Sequence, residues 1–203
     1  MRHWTLHDYH TMPWKNGGGS TTELAVFPEQ AGLDQFIWRL STASVSSAGP
    51  FSHFARIDRT LAVLSGQGLI MQCDSESQHA ASVTLTRDSQ PYRFAGETPV
   101  FAELLDGETV LDLNMMTRRD ACTHHMQRLG AGQHVISAQD AQQVLLFCAR
   151  GEARLDNGSL LQASDLCLFE ESTEHKGIRF TIEAAEQAEL YLIRIHFLVT
   201  GLS

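Results

Sequence analysis

At 203 residues the chain is long enough for one large domain or for two small fused modules. Hydrophobic residues make up 43% and charged residues 19%, which excludes a disordered chain and describes a folded one. A net charge of -9 argues against a nucleic-acid partner, since the longest basic run, Arg118-Arg119, is followed at once by Asp120 and could not neutralise a row of phosphates. No apolar segment approaches the ~20 residues that span a bilayer. The opening segment MRHWTLHDYH carries His3, His7, Asp8 and His10 where a signal peptide would have an apolar core, so a cytoplasmic protein without a membrane partner is expected. Cys73, Cys122, Cys148 and Cys167 are widely spaced and form no CxxC pair, so they read as buried thiols of a reducing compartment in preference to a zinc site.

The apolar period is nearer two than 3.6 over most of the chain, and glycines with Asn-Gly and Asp-Gly pairs cut it into short segments. In chain order the pattern predicts strands at residues 23–27, 38–41, 60–72, 109–115, 143–155, 160–169 and 189–198, rich in Val, Ile, Leu, Phe and Thr. Residues 137–142 are expected to form about one turn of helix, with Ser137 as cap and Asp140 three positions on. Two stretches look alike: LAVLSGQGLIMQ (61–72) and LFCARGEARLDN (146–157) each run from an apolar strand through a glycine turn into a second strand. Gly66 and Gly151 fall in register. PYRFAGETPVFAELL then leads to VLDLNMMT in one half, and DLCLFEES leads through IRFTI to LYLIRIHF in the other. Extra residues at 74–81 are expected as a longer hairpin loop. The economical reading is an internal duplication of a β-barrel unit, dividing the chain into residues 1–120 and 121–203 within one unit. With no crossover helices, the expected class is all-β, two fused jelly-roll β-barrel modules with few or no helices.

The most distinctive segment is PWKNGGGSTTEL (13–24). Three consecutive glycines exceed what an ordinary turn needs and would let backbone approach something closely, although a flexible connector has the same composition. Trp14 offers a flat face, Lys15 a cation, Asn16 an amide and Glu23 an acceptor. This segment, with Thr21 and Glu23, is followed by WRLSTA (38–43), GPFS (49–52), IDRTL (57–61) and LNMMTRR (113–119). In that order the strings resemble the HutD/Ves family over nearly the whole chain. The resemblance implies a double cupin without a catalytic metal. For its HutD branch it implies a role in histidine utilisation, with binding of an intermediate such as urocanate or formiminoglutamate. For its Ves branch it implies a stress-associated protein. Two positions depart from the family pattern: Thr22 stands where relatives carry Arg, and Ala55-Arg56 where Pro-Gly is usual.

Many cupins hold a metal through a His-x-His and Glu motif. Counted back from Gly66, those positions fall on His53, Ala55 and Arg59, and Arg59 is a cation that cannot coordinate. His175 and His196 are isolated, and His124-His125 point to opposite faces of a strand. No metal and no cofactor is therefore expected. No catalytic residue is assigned either: there is no GxSxG elbow, and neither Ser41 nor Ser44 has a histidine nearby in sequence.

In residues 38–41, Trp38 and Leu40 share one face of a strand and Arg39 and Ser41 the other, which turns either to water or into a barrel mouth. For an isolated strand water is the favoured side, and the family resemblance puts it on equal footing with the barrel mouth. A small polar metabolite is then expected there, with Arg39 and Lys15 on its carboxylate, Trp14 or Trp38 stacked on a flat part, Asn16 and Glu23 on its nitrogen groups, and Ser41 and Asn114 in the walls. Asp58, Arg59 and Arg118 are expected to tie strands to loops. The alternatives are a metal-independent isomerase or hydrolase for such a metabolite, and a regulatory protein whose sheet edges pair with a partner. A homodimer is compatible with each.

Overall fold

The structure, a computed structural model, describes residues 1–73, 81–171 and 177–198. The expected loop at 74–81 lies outside the described residues except for Ala81, as does His175. In chain order the strands are β1 (Arg2–Trp4), β2 (His10–Pro13), β3 (Gly19–Phe27), β4 (Trp38–Val45), β5 (Gly49–Pro50), β6 (Ile57–Ser65), β7 (Leu69–Cys73), β8 (Ala81–Leu85), β9 (Tyr92–Ala95), β10 (Val100–Leu104) and β11 (Val110–Arg118). They continue with β12 (Cys122–Leu129), β13 (Gly132–Ala138), β14 (Gln143–Arg150), β15 (Glu152–Leu155), β16 (Leu160–Gln162), β17 (Leu166–Glu170), β18 (Ile178–Ala184) and β19 (Glu189–Phe197). The helical segments among the described residues are single 3-10 turns at Leu6–Asp8 and Leu105–Gly107.

The chain divides into two compact units. One comprises His10–Asp120, the other Met1–Tyr9 with Ala121–Ser203. The first holds two sheets in the orders β2-β3-β4-β11-β6-β9 and β5-β10-β7-β8. The second holds β1-β17-β14-β19-β12 and β13-β18-β15-β16. Replacing each of β4 to β11 by the strand eight places later turns the core of one pattern into the other, so the duplication read from the sequence is a duplication of topology. Gly66 and Gly151 occupy the same place in it. Both have positive φ, +88° and +74°, and a Cβ on either would press on the backbone just before or at the start of the closing strand, at Thr109 O or Ala188 Cα. Both halves also carry a register shift two residues before that glycine, where β6 and β14 pair with the closing strand.

Met1–Tyr9 do not join the N-terminal half in which the sequence placed them. β1 pairs antiparallel with β17, His3 opposite Cys167. His3 Nε2 lies 3.1 Å from Asp165 Oδ2, and the Tyr9 hydroxyl donates to Ser164 O at 2.7 Å. The helical turn expected at 137–142 is also absent. Ser137 and Ala138 end β13 opposite Arg179 and Ile178, because alternate residues Ile136 and Ala138 are buried and strand pairing outweighs a weak local capping preference.

The interiors of the two units differ. The unit built on β12 to β19 is filled by Leu, Ile, Val and Phe from both of its sheets, among them Leu146, Leu161, Ile182, Leu190 and Leu192, all shielded from solvent. The unit built on β2 to β11 has an apolar core of Leu61, Val63, Leu69, Met71, Val100 and Val110, but the space between its sheets is not filled to the end.

Candidate functional site

Beyond that apolar core lies a cavity of about 600 Å³, a size that suits a small metabolite. Its floor is set by the register of three neighbouring strands. In β11, Asp112, Asn114 and Met116 line the cavity, while Leu111, Leu113 and Met115 alternate to the opposite face. Pairing on both sides places side chains in rows: Arg39–Met116–Arg59, then Ser41–Asn114–Leu61, then Ala43–Asp112–Val63. Two guanidiniums thus flank Met116 at one level, and two polar side chains follow along the same strand.

The two arginines are held differently. Arg39 donates from Nε to Glu23 Oε2 at 2.7 Å, a paired charge, and from Nη1 to Ser41 Oγ at 3.4 Å. Arg59 is 6% exposed and lies among aromatic rings, its guanidinium carbon 5.0 Å from the centroids of Phe51 and Phe94 and 5.8 Å from that of Phe54. Its Nη1 makes one long bond, 3.4 Å, to Ser52 O, and its Nε has no partner. Burial pushes the Arg59 guanidinium down to about 10, with Asp112 opposing and Arg39 adding to the fall, so it stays charged at neutral pH. The Asp112 carboxyl, 3% exposed, is pushed up to about 7 by burial, against the pull of Arg59 and of a backbone hydrogen bond from Ala43. Glu23 therefore matches Arg39, whereas the carboxyl beside Arg59 resists ionisation. The cavity holds a cation without full compensation, the arrangement that attracts an anion.

The PWKNGGG segment is the β2–β3 hairpin at the mouth. Trp14, Lys15 and Asn16 line the cavity, and the hairpin is rigidly tied. Trp14 Nε1 donates to Thr21 Oγ1 at 2.8 Å, Trp14 N donates to Gly19 O, and Gly17 N to Trp14 O. Gly17 takes φ +73°, and a Cβ on Gly19 would collide with Ser44 O and reach the Trp14 ring at 3.0 Å. The close approach that the glycines permit is thus to the protein's own backbone and indole. Gly19→Ala is expected to destabilise the fold by about 1–3 kcal/mol through overpacking, measurable as a lowered midpoint in urea unfolding. An unchanged midpoint would show that the hairpin moves aside.

Of the residues singled out from the sequence, Trp14, Lys15, Asn16, Arg39, Ser41 and Asn114 meet at this one cavity. Glu23 does not line it and acts through Arg39. Trp38 lies on the other face of β4, buried and stacked on Phe27 with centroids 5.9 Å apart and planes at 13°, so it offers no face to a ligand here. Asp58 and Arg118 tie strands and loops as expected: Asp58 accepts from Arg93 at 2.6 Å and Arg119 at 2.8 Å, and Arg118 donates to Asp34 O and Phe36 O. Arg59 also reaches a loop, through its bond to Ser52 O, but it lines the cavity as well, and Asp112 was not singled out at all. Both sit in apolar rows of period two, Ile57-x-Arg59-x-Leu61-x-Val63 and Val110-x-Asp112-x-Asn114-x-Met116, and a polar residue inside such a row was the available signal.

The donor set does not fit a cupin metal. Arg39 and Arg59 would oppose a dication in the cavity, and among the described residues no three His, Cys, Asp or Glu side chains converge on a common point. No helix among the described residues is long and apolar enough to cross a membrane.

Comparison with known proteins follows this geometry. The HutD family model matches residues 6–192. Protein Ves of Cronobacter sakazakii is 42% identical over 118 residues, 57% of this chain and 61% of the relative. An uncharacterized 21.2 kDa protein in the hutC 3′ region of Pseudomonas putida is 36% identical over 142 residues, 70% of each chain. The chain thus spans less than two thirds of the length of the Ves relatives it matches. Among solved structures, HutD from Pseudomonas fluorescens SBW25, in a formate condition, superposes with a TM-score of 0.82 at 28% identity, covering 97% of this chain and 98% of that one. Oxalate decarboxylase of Bacillus subtilis superposes at 0.65 and 9% identity, covering 96% of this chain and 76% of that one, a likeness of cupin jelly-roll fold alone.

Proposed function

Because the chain belongs to the HutD family, with the Ves proteins among its relatives, we propose that it binds a small carboxylate-containing metabolite in the β2–β11 unit and senses or buffers it without turnover. The observation that carries this is Arg59: a buried guanidinium in a cavity wall, with an unpartnered Nε and one long hydrogen bond. A bound carboxylate would supply the anion and acceptors that Arg59 lacks. Lys15 at the mouth adds a further positive charge to draw the acid in. Family membership and the relative in a hutC 3′ region support an intermediate of histidine degradation, urocanate or formiminoglutamate, as that acid.

The test is calorimetric titration of the metal-stripped protein with each of these acids, followed by recovery of the ligand. The expected result is saturable one-site binding with the acid returned unchanged. Recovery of an altered acid would make the protein an enzyme, and absence of binding by both would remove the histidine-pathway assignment.

A further inference from the structure

The cavity wall has a second polar feature, to which its guanidiniums make no hydrogen bond. Asp112 and Asn114 stand two residues apart on β11, on the face that lines the cavity. Both side chains are nine-tenths buried or more, at 3% and 9% exposure, and Oδ1 of each is closed to solvent and accepts no hydrogen bond. Their neighbours in the rows cannot remedy this: Asp112 is flanked by Ala43 and Val63, and Asn114 has Leu61 on one side, none with a side-chain donor. On the other side of Asn114, the Ser41 hydroxyl oxygen accepts from Arg39, and it makes no hydrogen bond to Asn114 Oδ1. Buried acceptors are almost always paired, and two adjacent exceptions on residues that line one cavity mark the place where a donor arrives once the side chains turn these oxygens toward it.

We propose that Asp112 and Asn114 form an acceptor pair for an N–H group of the ligand, so that the bound molecule carries a carboxylate at one end and a nitrogen donor at the other. This rests on the carboxylate reading of the two arginines and adds the other half of the ligand. The class is a small acid bearing an amide, amidine or imidazole N–H. Asn114 stands two residues along β11 from Met116, which lies in the row of the arginines, about 7 Å at the rise of a strand. A carboxylate and an N–H separated by roughly that distance can therefore meet both rows at once. A plain aliphatic or aryl acid would fill the arginine end and leave the acceptor pair unsatisfied, and sites built to pair a polar ligand group discriminate strongly against the analogue that lacks it.

The experiment is calorimetry on the full chain with two acids of one planar shape: urocanate, and 3-(furan-3-yl)acrylate, which keeps the carboxylate and lacks the N–H. Wild type is expected to prefer urocanate by at least about tenfold, the size of one good hydrogen bond to a charged or buried acceptor. In Asp112→Ala/Asn114→Ala the loss is expected to be confined to urocanate, so that the two acids come within about threefold of each other. Retained binding of the furan acid reports an intact fold. Should the double variant lose both acids, Asp112→Ala and Asn114→Ala singly are read for the same narrowing, since each removes one acceptor. Equal affinity of the two acids for wild type, or a preference that survives the substitutions, overturns the acceptor pair and leaves the arginine site standing. Failure of both acids to bind wild type overturns the arginine reading and this inference with it.

Discussion

Arg59→Ala is expected to lower affinity for a small carboxylate by at least about a hundredfold, the effect of removing one partner of a desolvated charge pair. The size follows from where Arg59 sits. Its guanidinium is buried against Phe51, Phe54 and Phe94, so the attraction to an incoming anion is weakly screened by water. Arg39→Ala is expected to have the smaller effect of the two, because Arg39 is already matched by Glu23. The stability of Arg59→Ala should change little, since an incompletely bonded buried cation is removed and Asp112 can stay protonated in its absence. Calorimetry with urocanate gives the first quantity and urea unfolding the second. Affinity within threefold of wild type would transfer the carboxylate away from this cavity wall.

Asp112→Asn is expected to make the protein more stable than wild type at pH 8 and no more stable at pH 4. A carboxyl pushed up to about 7 in the fold keeps its proton where the unfolded chain has released it. The unfolded state therefore binds fewer protons between about pH 4 and 7, and wild-type stability falls as pH rises through that window, levelling off above it. At the limit the loss is about 4 kcal/mol, and a measured value of 1–4 kcal/mol is expected once relaxation of the site is included. Asparagine resembles the protonated carboxyl at every pH, so it escapes the loss. Parallel urea titrations of both proteins at pH 4, 6 and 8 read this directly. If the two curves keep a constant offset across the series, burial of Asp112 does not govern its proton.

Much of the architecture could be read from residue type and spacing. Period-two apolar runs made the strands visible, and the shared glycine turn at Gly66 and Gly151 made the duplication visible, because a positive-φ turn against a closing strand admits little else. The WKN segment stood out by its composition, which on its own favoured a flexible connector, and it was the family resemblance that turned the reading toward a site. What stayed hidden was the direction in which particular side chains point. Asp58 and Arg59 are adjacent and of opposite charge, which suggests an ion pair, yet neighbours on a strand face opposite ways: Asp58 pairs with Arg93 and Arg119, and Arg59 turns to the cavity. Trp38 failed for the same reason in reverse, since both faces of β4 are buried and aromatic character alone does not choose between them. β1 was illegible on other grounds. Three residues are too few to carry a period, and the partner strand lies more than a hundred and fifty positions away in the chain.

That displaced strand decides how the chain can be cut. A cleavage or gene split at 120/121 looks natural from the duplication, but only one product keeps all its strands. A fragment starting at Ala121 would leave the outer margin of β17 with a row of open amides and carbonyls where β1 had paired, a template for stray association between copies. Asp165 would lose His3, and Ser164 would lose the Tyr9 hydroxyl. The piece spanning His10–Asp120 carries its sheets intact. A circularly permuted chain, with residues 1–9 placed so that they can still reach β17, is the form in which the other unit could be isolated with its edge covered.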